Sequence, residues 1–152
     1  MGDRDPITCH VLNIYDGAPA AGLSCSLTLI HADASSTSST QGPPPSIFYG
    51  TTDADGRVKK WRPSSASPAS LSEVVASLPN QAGSGEGSSA RSTWSIRLMN
   101  VAEWYKQRGV ASLWPEVEVK FMVEGREGEE GWRHYHVPVL LGPFSYSTYR
   151  GS

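Results

Sequence analysis

Alternation between Leu23 and His31 constrains this chain more than any other feature: Leu23, Cys25, Leu27 and Leu29 occupy every second position, with Ser24, Ser26, Thr28 and Ile30 between them. A period of two sends successive side chains to opposite faces of an extended strand, so this segment has one face fit for burial. Similar patterns recur along the chain. Ile7 to Ile14 is rich in apolar and β-branched residues and ends at the turn pair Asp16-Gly17. Ile47 to Thr52 breaks at Asp53-Ala54-Asp55-Gly56, and Arg57 to Trp61 resumes beyond it, which puts Arg57 at a strand start. Thr93 to Met99 alternates again. Val117, Val119, Phe121 and Val123 alternate with Glu116, Glu118, Lys120 and Met122, and Tyr135 to Leu141 and Phe144 to Gly151 follow, separated by Gly142-Pro143. The Asp16 to Pro19 connection would make the strand at 23–31 antiparallel to the first, and Glu124 to Glu130 reads as another hairpin tip. Many short strands of this kind predict an all-β, two-sheet β-sandwich of about eight strands with one short helix.

Two low-complexity insertions interrupt the strands, about 33–46 and about 63–92, both dominated by Ser, Gly, Ala and Pro and too poor in side-chain bulk to form a core. They read as flexible. Within the second, Leu71, Val74, Val75 and Leu78 fall at i, i+3, i+4 and i+7, the stripe of a short local helix. A further helix is expected from Val101 to Arg108, capped by Asn100 and ended by Gly109. At 152 residues the whole chain, 1–152, suits one domain.

Thirteen basic against fifteen acidic residues leave a net charge of −2, which offers no electrostatic footprint for nucleic acid or an acidic membrane. No apolar run approaches the roughly 20 residues of a membrane span, and Met1 to Asp5 lacks the basic-then-apolar order of a signal peptide. A soluble intracellular protein is expected. Cys9 and Cys25, on strands taken as neighbours, are too few for a disulfide framework and read as reduced thiols.

Four places carry candidate chemistry: His10, Arg57, the pair His134 and His136, and the tail Tyr149-Arg150-Gly151-Ser152. Alternation sorts them. Thr8, His10 and Leu12 share one face while Ile7, Cys9 and Val11 share the other, so His10 and Cys9 point apart. His134, His136 and Pro138 likewise share a face opposite Tyr135, Val137 and Val139. Two histidines at i, i+2 suit a metal sterically, but no spacing supplies the remaining zinc ligands. Asp53 to Gly56 lacks the later ligands of a calcium loop and reads as a turn. No metal is expected.

Taken together, Cys9-His10-Val11-Leu12-Asn13, Asp16-Gly17-Ala18-Pro19, Thr52-Asp53-Ala54-Asp55-Gly56-Arg57, His134-Tyr135-His136-Val137-Pro138-Val139 and Ser147-Thr148-Tyr149-Arg150-Gly151-Ser152 resemble the transthyretin-like family. Within it they are similar to the enzymatic branch, the 5-hydroxyisourate hydrolases of purine and urate catabolism, of which the terminal Tyr-Arg-Gly-Ser is the signature. The resemblance spans Ile7 to Ser152 apart from the two insertions. It implies a transthyretin-like sandwich assembled as a homotetramer, with sites in a central channel. In the hormone-carrying branch a lysine stands at the position of His10 and a threonine at that of His136, and the tail is absent; this chain has the hydrolase residues.

By that resemblance water opens 5-hydroxyisourate to 2-oxo-4-hydroxy-4-carboxy-5-ureidoimidazoline. His10, Arg57, His136 and Ser152 would be catalytic, and His10, Arg57 and Tyr149 would bind substrate, with no cofactor. Imidazole exchanges protons near neutral pH, so His10 or His136 serves as base. Arginine's planar fork suits urate-like oxygens and charge on an attacked carbonyl. His134 shares the face of His136 but is expected outside the immediate site. Cytoplasm and peroxisome are both compatible, although Arg-Gly-Ser is not the Ser-Lys-Leu address.

Overall fold

A computed structural model describes residues 4–32, 46–64, 69–80 and 90–152. Their strands form two sheets. In the first, β1 (Ile7–Asn13) runs parallel to β9 (Tyr135–Leu141), whose other edge carries β10 (Tyr146–Thr148). On the far side of β1 sit two two-residue strands, β2 (Ala18–Pro19) and β5 (Arg57–Val58). The second sheet has the order β6 (Arg62–Pro63), β4 (Ile47–Thr51), β3 (Ser24–Ala32), β7 (Arg91–Leu98), β8 (Val117–Glu124). The two sheets make the expected all-β sandwich.

Alternation decides which side chains fill it. Ile7, Cys9 and Val11 of β1, Val137, Val139 and Leu141 of β9, Cys25, Leu27 and Leu29 of β3, and Trp94, Ile96 and Leu98 of β7 are all buried. Each such Val, Leu or Ile stabilises the fold by roughly 1.5–3 kcal/mol relative to exposure. The opposite face of β1 keeps Thr8 and His10, and that face carries the candidate chemistry.

Two expected hairpins are crossovers. The strand that pairs with β1 after Asp16-Gly17 is the two-residue β2, and β3 then belongs to the other sheet. Glu124 to Glu130 likewise leads from β8 in one sheet to β9 in the other. The physical reason is burial: β3 and β1 each have one apolar face, and placing them in opposing sheets turns those faces toward each other. Cys9 and Cys25 therefore meet across the core as free, buried thiols rather than along one sheet, and the hydrogen bond with Cys9, together with burial, pushes the Cys25 thiol up.

Both expected helical segments are present as short helices, the one in the second insertion in addition to the single helix counted with the sandwich. α1 (Leu71–Ala76) begins where the Ser70 side chain accepts from the Glu73 N–H at 3.2 Å, and buries Leu71, Val75 and the following Leu78. The second insertion is thus anchored in its middle, contrary to the expectation of a flexible stretch: Arg126 donates through Nε to the Leu78 carbonyl, and Asn80 bridges Ala90. Its far end is shorter than expected, because Arg91 and Ser92 already belong to β7. α2 (Val101–Lys106) ends as expected before Gly109, whose φ is 72°. Asn100 does not cap it through its side chain; its Oδ1 instead accepts from the Ser24 N–H at 3.0 Å, tying α2 to β3. The loop at 33–46 lies outside the described residues except for Ser46.

Candidate active site

Register places the site. Because β1 and β9 run parallel with Thr8 opposite His136 and His10 opposite Pro138, the outward side chains of both strands form one surface. On the other edge of β1, β5 sets Arg57 opposite His10. Gly56 makes that approach possible: its φ is 78°, its carbonyl accepts from Val11 N–H at 2.8 Å, and a Cβ there would lie 2.4 Å from the Val11 carbonyl oxygen. Asp53 closes the loop, its Oδ1 accepting from the backbone N–H groups of Asp55 and Arg57, each at 2.9 Å. The Asp-Ala-Asp-Gly segment is therefore the turn it was expected to be.

The imidazoles gather on this surface. The His10 and His136 rings lie 6.2 Å apart between centroids, and the His134 and His136 rings 6.4 Å apart. Buried Thr8 stands between the latter pair. Its Oγ1 is 2.7 Å from His136 Nδ1 and 2.8 Å from His134 Nε2. Arg4, Thr8, Cys9, Arg57, Lys59, His136 and Ser152 line a cavity of about 190 Å³. A larger depression of about 390 Å³ between Glu124 and Trp132 contains no imidazole, so chemistry rather than size selects the site.

Electrostatics favours the neutral form of His134 and His136. Burial pushes the His134 pKa down to about 4, reinforced by Arg4, His136 and Arg150. Burial also lowers His136, with His10, Arg57 and Arg4 adding to it. Arg57 is itself exposed on β5, and together with Arg4 and Lys59 it makes the cavity wall cationic. A neutral imidazole beside guanidinium groups has a lone pair to accept a proton and nearby positive charge to stabilise an oxyanion.

The tail divides between two surfaces. β10 stops at Thr148, whose Oγ1 donates to the Pro138 carbonyl at 2.7 Å, and pairing resumes where Gly151 N–H donates to the His136 carbonyl at 2.8 Å. The expected continuous strand thus breaks at Tyr149-Arg150. Gly151 lies so close to the site that a Cβ on it would stand 2.7 Å from His136 Cδ2 and 2.9 Å from Pro138 Cγ. Ser152 follows at the cavity. Tyr149, 59% exposed, lies instead in a groove beside Val119, Phe121, Tyr135 and Val137, on the other side of β9. There Arg150 sits 4.0 Å over the Tyr135 ring and donates to the His134 carbonyl.

Of the residues expected from sequence, His10, Arg57, His136 and Ser152 come together in one chain, and Tyr149 stands apart from them. His134 is not among the residues lining the cavity, but it shares Thr8 with His136. Thr8, Arg4 and Lys59 were missed. Thr8 had one legible signal, its position two residues before His10 on the same face; the two cations had none beyond their charge. Among the described residues no group of three or more His, Cys, Asp or Glu side chains is arranged to hold a metal ion.

The chain is similar to known proteins. A Schizosaccharomyces pombe protein named "Probable 5-hydroxyisourate hydrolase" is 32% identical over 149 residues, covering 96% of this chain and 90% of that one. A Deinococcus radiodurans 5-hydroxyisourate hydrolase is 30% identical over 155 residues, covering 100% of both. The solved structure of Klebsiella pneumoniae 5-hydroxyisourate hydrolase superposes with a TM-score of 0.55 at 25% identity, over 96% of this chain and 97% of that one. A family model matches residues 7–151, a span that takes in the β1 histidine, the Gly56 turn, the β9 histidines and Gly151; the chain belongs to the HIUase/Transthyretin family.

Proposed function

We propose that this protein hydrolyses 5-hydroxyisourate, opening its cyclic amide-type bond to give 2-oxo-4-hydroxy-4-carboxy-5-ureidoimidazoline. The observation that carries this reading is the meeting of Arg57, His136 and Ser152 around one small cationic cavity, with His10 paired to Arg57 and its ring 6.2 Å from that of His136. At about 190 Å³ it is smaller than the roughly 300–1,000 Å³ of drug-sized ligand sites, which suits a compact polar ring.

His10 or His136 takes a proton from water as the water oxygen bonds to the carbonyl carbon. Arg57 stabilises the negative charge that develops on the carbonyl oxygen. The carbon–nitrogen bond then breaks, and the proton held by the imidazole passes to the leaving nitrogen. The Ser152 hydroxyl supports the ring from the cavity wall. No step requires a metal or organic cofactor.

The working unit in this reading is a homotetramer. Tyr149 then contributes to substrate binding across a subunit boundary, since its ring faces away from the cavity of its own chain. Cytoplasm or peroxisome is the proposed location; no described helix is long and apolar enough to cross a membrane.

The test follows the absorbance decay of freshly generated 5-hydroxyisourate. Wild-type protein accelerates it, while His10→Ala, His136→Ala and Arg57→Gln each lose about 10²–10⁴-fold in kcat/KM, the usual contribution of a positioned base or charge stabiliser. Full activity in both His10→Ala and Arg57→Gln would overturn the site.

A further inference from the structure

The hydroxyl of Thr8 has one hydrogen to give, yet it touches two imidazole nitrogens, His136 Nδ1 at 2.7 Å and His134 Nε2 at 2.8 Å. It is buried, with 3% of its surface exposed, so water does not substitute for either partner. With both histidines neutral, each ring has one N–H, and two complete arrangements exist. In one, His136 Nδ1–H donates to Thr8, and Thr8 donates to His134 Nε2. The other reverses every donor, so that His134 donates to Thr8 and Thr8 donates to His136 Nδ1. The first leaves a lone pair on His136 Nε2; the second leaves a hydrogen there.

The surroundings of His136 choose between them. Nδ1 faces Thr8 and Cδ2 is packed beside Gly151, which leaves the Cε1–Nε2 edge for the cavity that His136 lines. The groups facing that ring are Arg4, Arg57 and Lys59 around the cavity, His10 at 6.2 Å, Ser152 and, behind Thr8, His134 with Arg150 at its carbonyl. Guanidinium and ammonium groups attract a lone pair and repel an N–H dipole. A lone pair on Nε2 is therefore the favoured arrangement.

We propose that Thr8 is a positioning residue that fixes His136 as its Nδ1–H tautomer, with His134 accepting the Thr8 hydroxyl hydrogen, so that His136 Nε2 is the base that faces substrate. This rests on the hydrolase reading above and resolves the choice it left open between two histidines. When water gives its proton to Nε2, the new imidazolium keeps its Nδ1–H on Thr8, and the same Nε2 proton is returned to the leaving nitrogen. His10 then serves beside Arg57 in holding the ring.

Long-range proton–nitrogen NMR of protein labelled with ¹⁵N-histidine reads the tautomer without any reaction. The expected spectrum has a protonated Nδ1 and an unprotonated Nε2 on His136, assigned by its loss in His136→Gln. Thr8→Val abolishes that preference and lowers kcat about 10- to 100-fold with KM little changed, while Thr8→Ser, which keeps the hydroxyl, restores both. A wild-type His136 protonated on Nε2 overturns the proposal even if Thr8→Val fails to fold, as does a folded Thr8→Val with unchanged tautomer and kcat. Failure of wild-type protein to hydrolyse 5-hydroxyisourate would instead sink the hydrolase reading, leaving the spectrum to decide the role of Thr8.

Discussion

His136 shows how a single residue's behaviour is set by its neighbours rather than by its type. An ordinary imidazole titrates near 6.5, but burial, His10, Arg57 and Arg4 all favour the neutral ring here. If the neutral form is the base, activity persists on acidification below 6.5 before the acid limb of kcat/KM appears. Arg4→Gln removes one of the charges that depress the pKa, so its limb moves to higher pH; an unmoved limb would show that Arg4 does not act on the base. Gly151 makes a second case, because no unusual backbone angle demands glycine there and the requirement is purely one of space. Gly151→Ala would push a methyl to 2.7 Å from His136 Cδ2. The expected result is at least about a tenfold fall in kcat, since small displacements of a positioned group are costly. Thermal unfolding should shift little, as the tail lies outside the core. The histidines and Arg57 were legible in sequence because their residue types carry chemistry. Gly151 was legible only as part of a tail motif, and its reason appears only when two strands pack.

At the scale of elements, the site depends on how β1, β5 and β9 are joined. β1 and β9 are far apart in the chain yet adjacent and parallel, and this pairing turns Thr8 and His136 into neighbours. β5 is two residues long and cannot hold its place by its own ladder, so the Gly56 turn does it. Gly56→Ala meets both a left-handed φ and the Val11 carbonyl, and should destabilise the protein by about 2 kcal/mol or more. Denaturant unfolding measures the loss, and a ΔΔG near zero would show that the turn relaxes without cost. Strand periodicity made these elements legible, together with the α1 stripe. It did not reveal that two apparent hairpins are crossovers, because alternation marks a strand's buried face without naming the sheet that covers it. It also missed the anchoring of α1, whose four apolar residues outweigh the polar composition around them.

Across the whole molecule, the pKa shifts link the site to stability. The unfolded chain protonates His134 near 6.5, whereas the folded protein resists protonation until about 4. Between these values the unfolded state binds more protons, so stability falls as pH drops through that window and is fully present above it. His136 shifts in the same direction. Thermal melts from pH 7 to 4 should therefore show a declining Tm, with a shallower slope in His134→Asn; equal slopes would mean that the His134 environment does not depend on folding. The sandwich itself follows from local information, since a period of two dictates an apolar face for each strand, and two such sheets must bury those faces together. The sequence alone also identified the residue types capable of the chemistry, because a proton acceptor near neutral pH and a permanent cation are properties of single side chains. Only the tertiary structure decided which of them meet. Thr8 joins two histidines, Gly151 packs against one of them and Tyr149 turns away, because distance and orientation between remote segments arise from strand register and packing, which no local pattern contains.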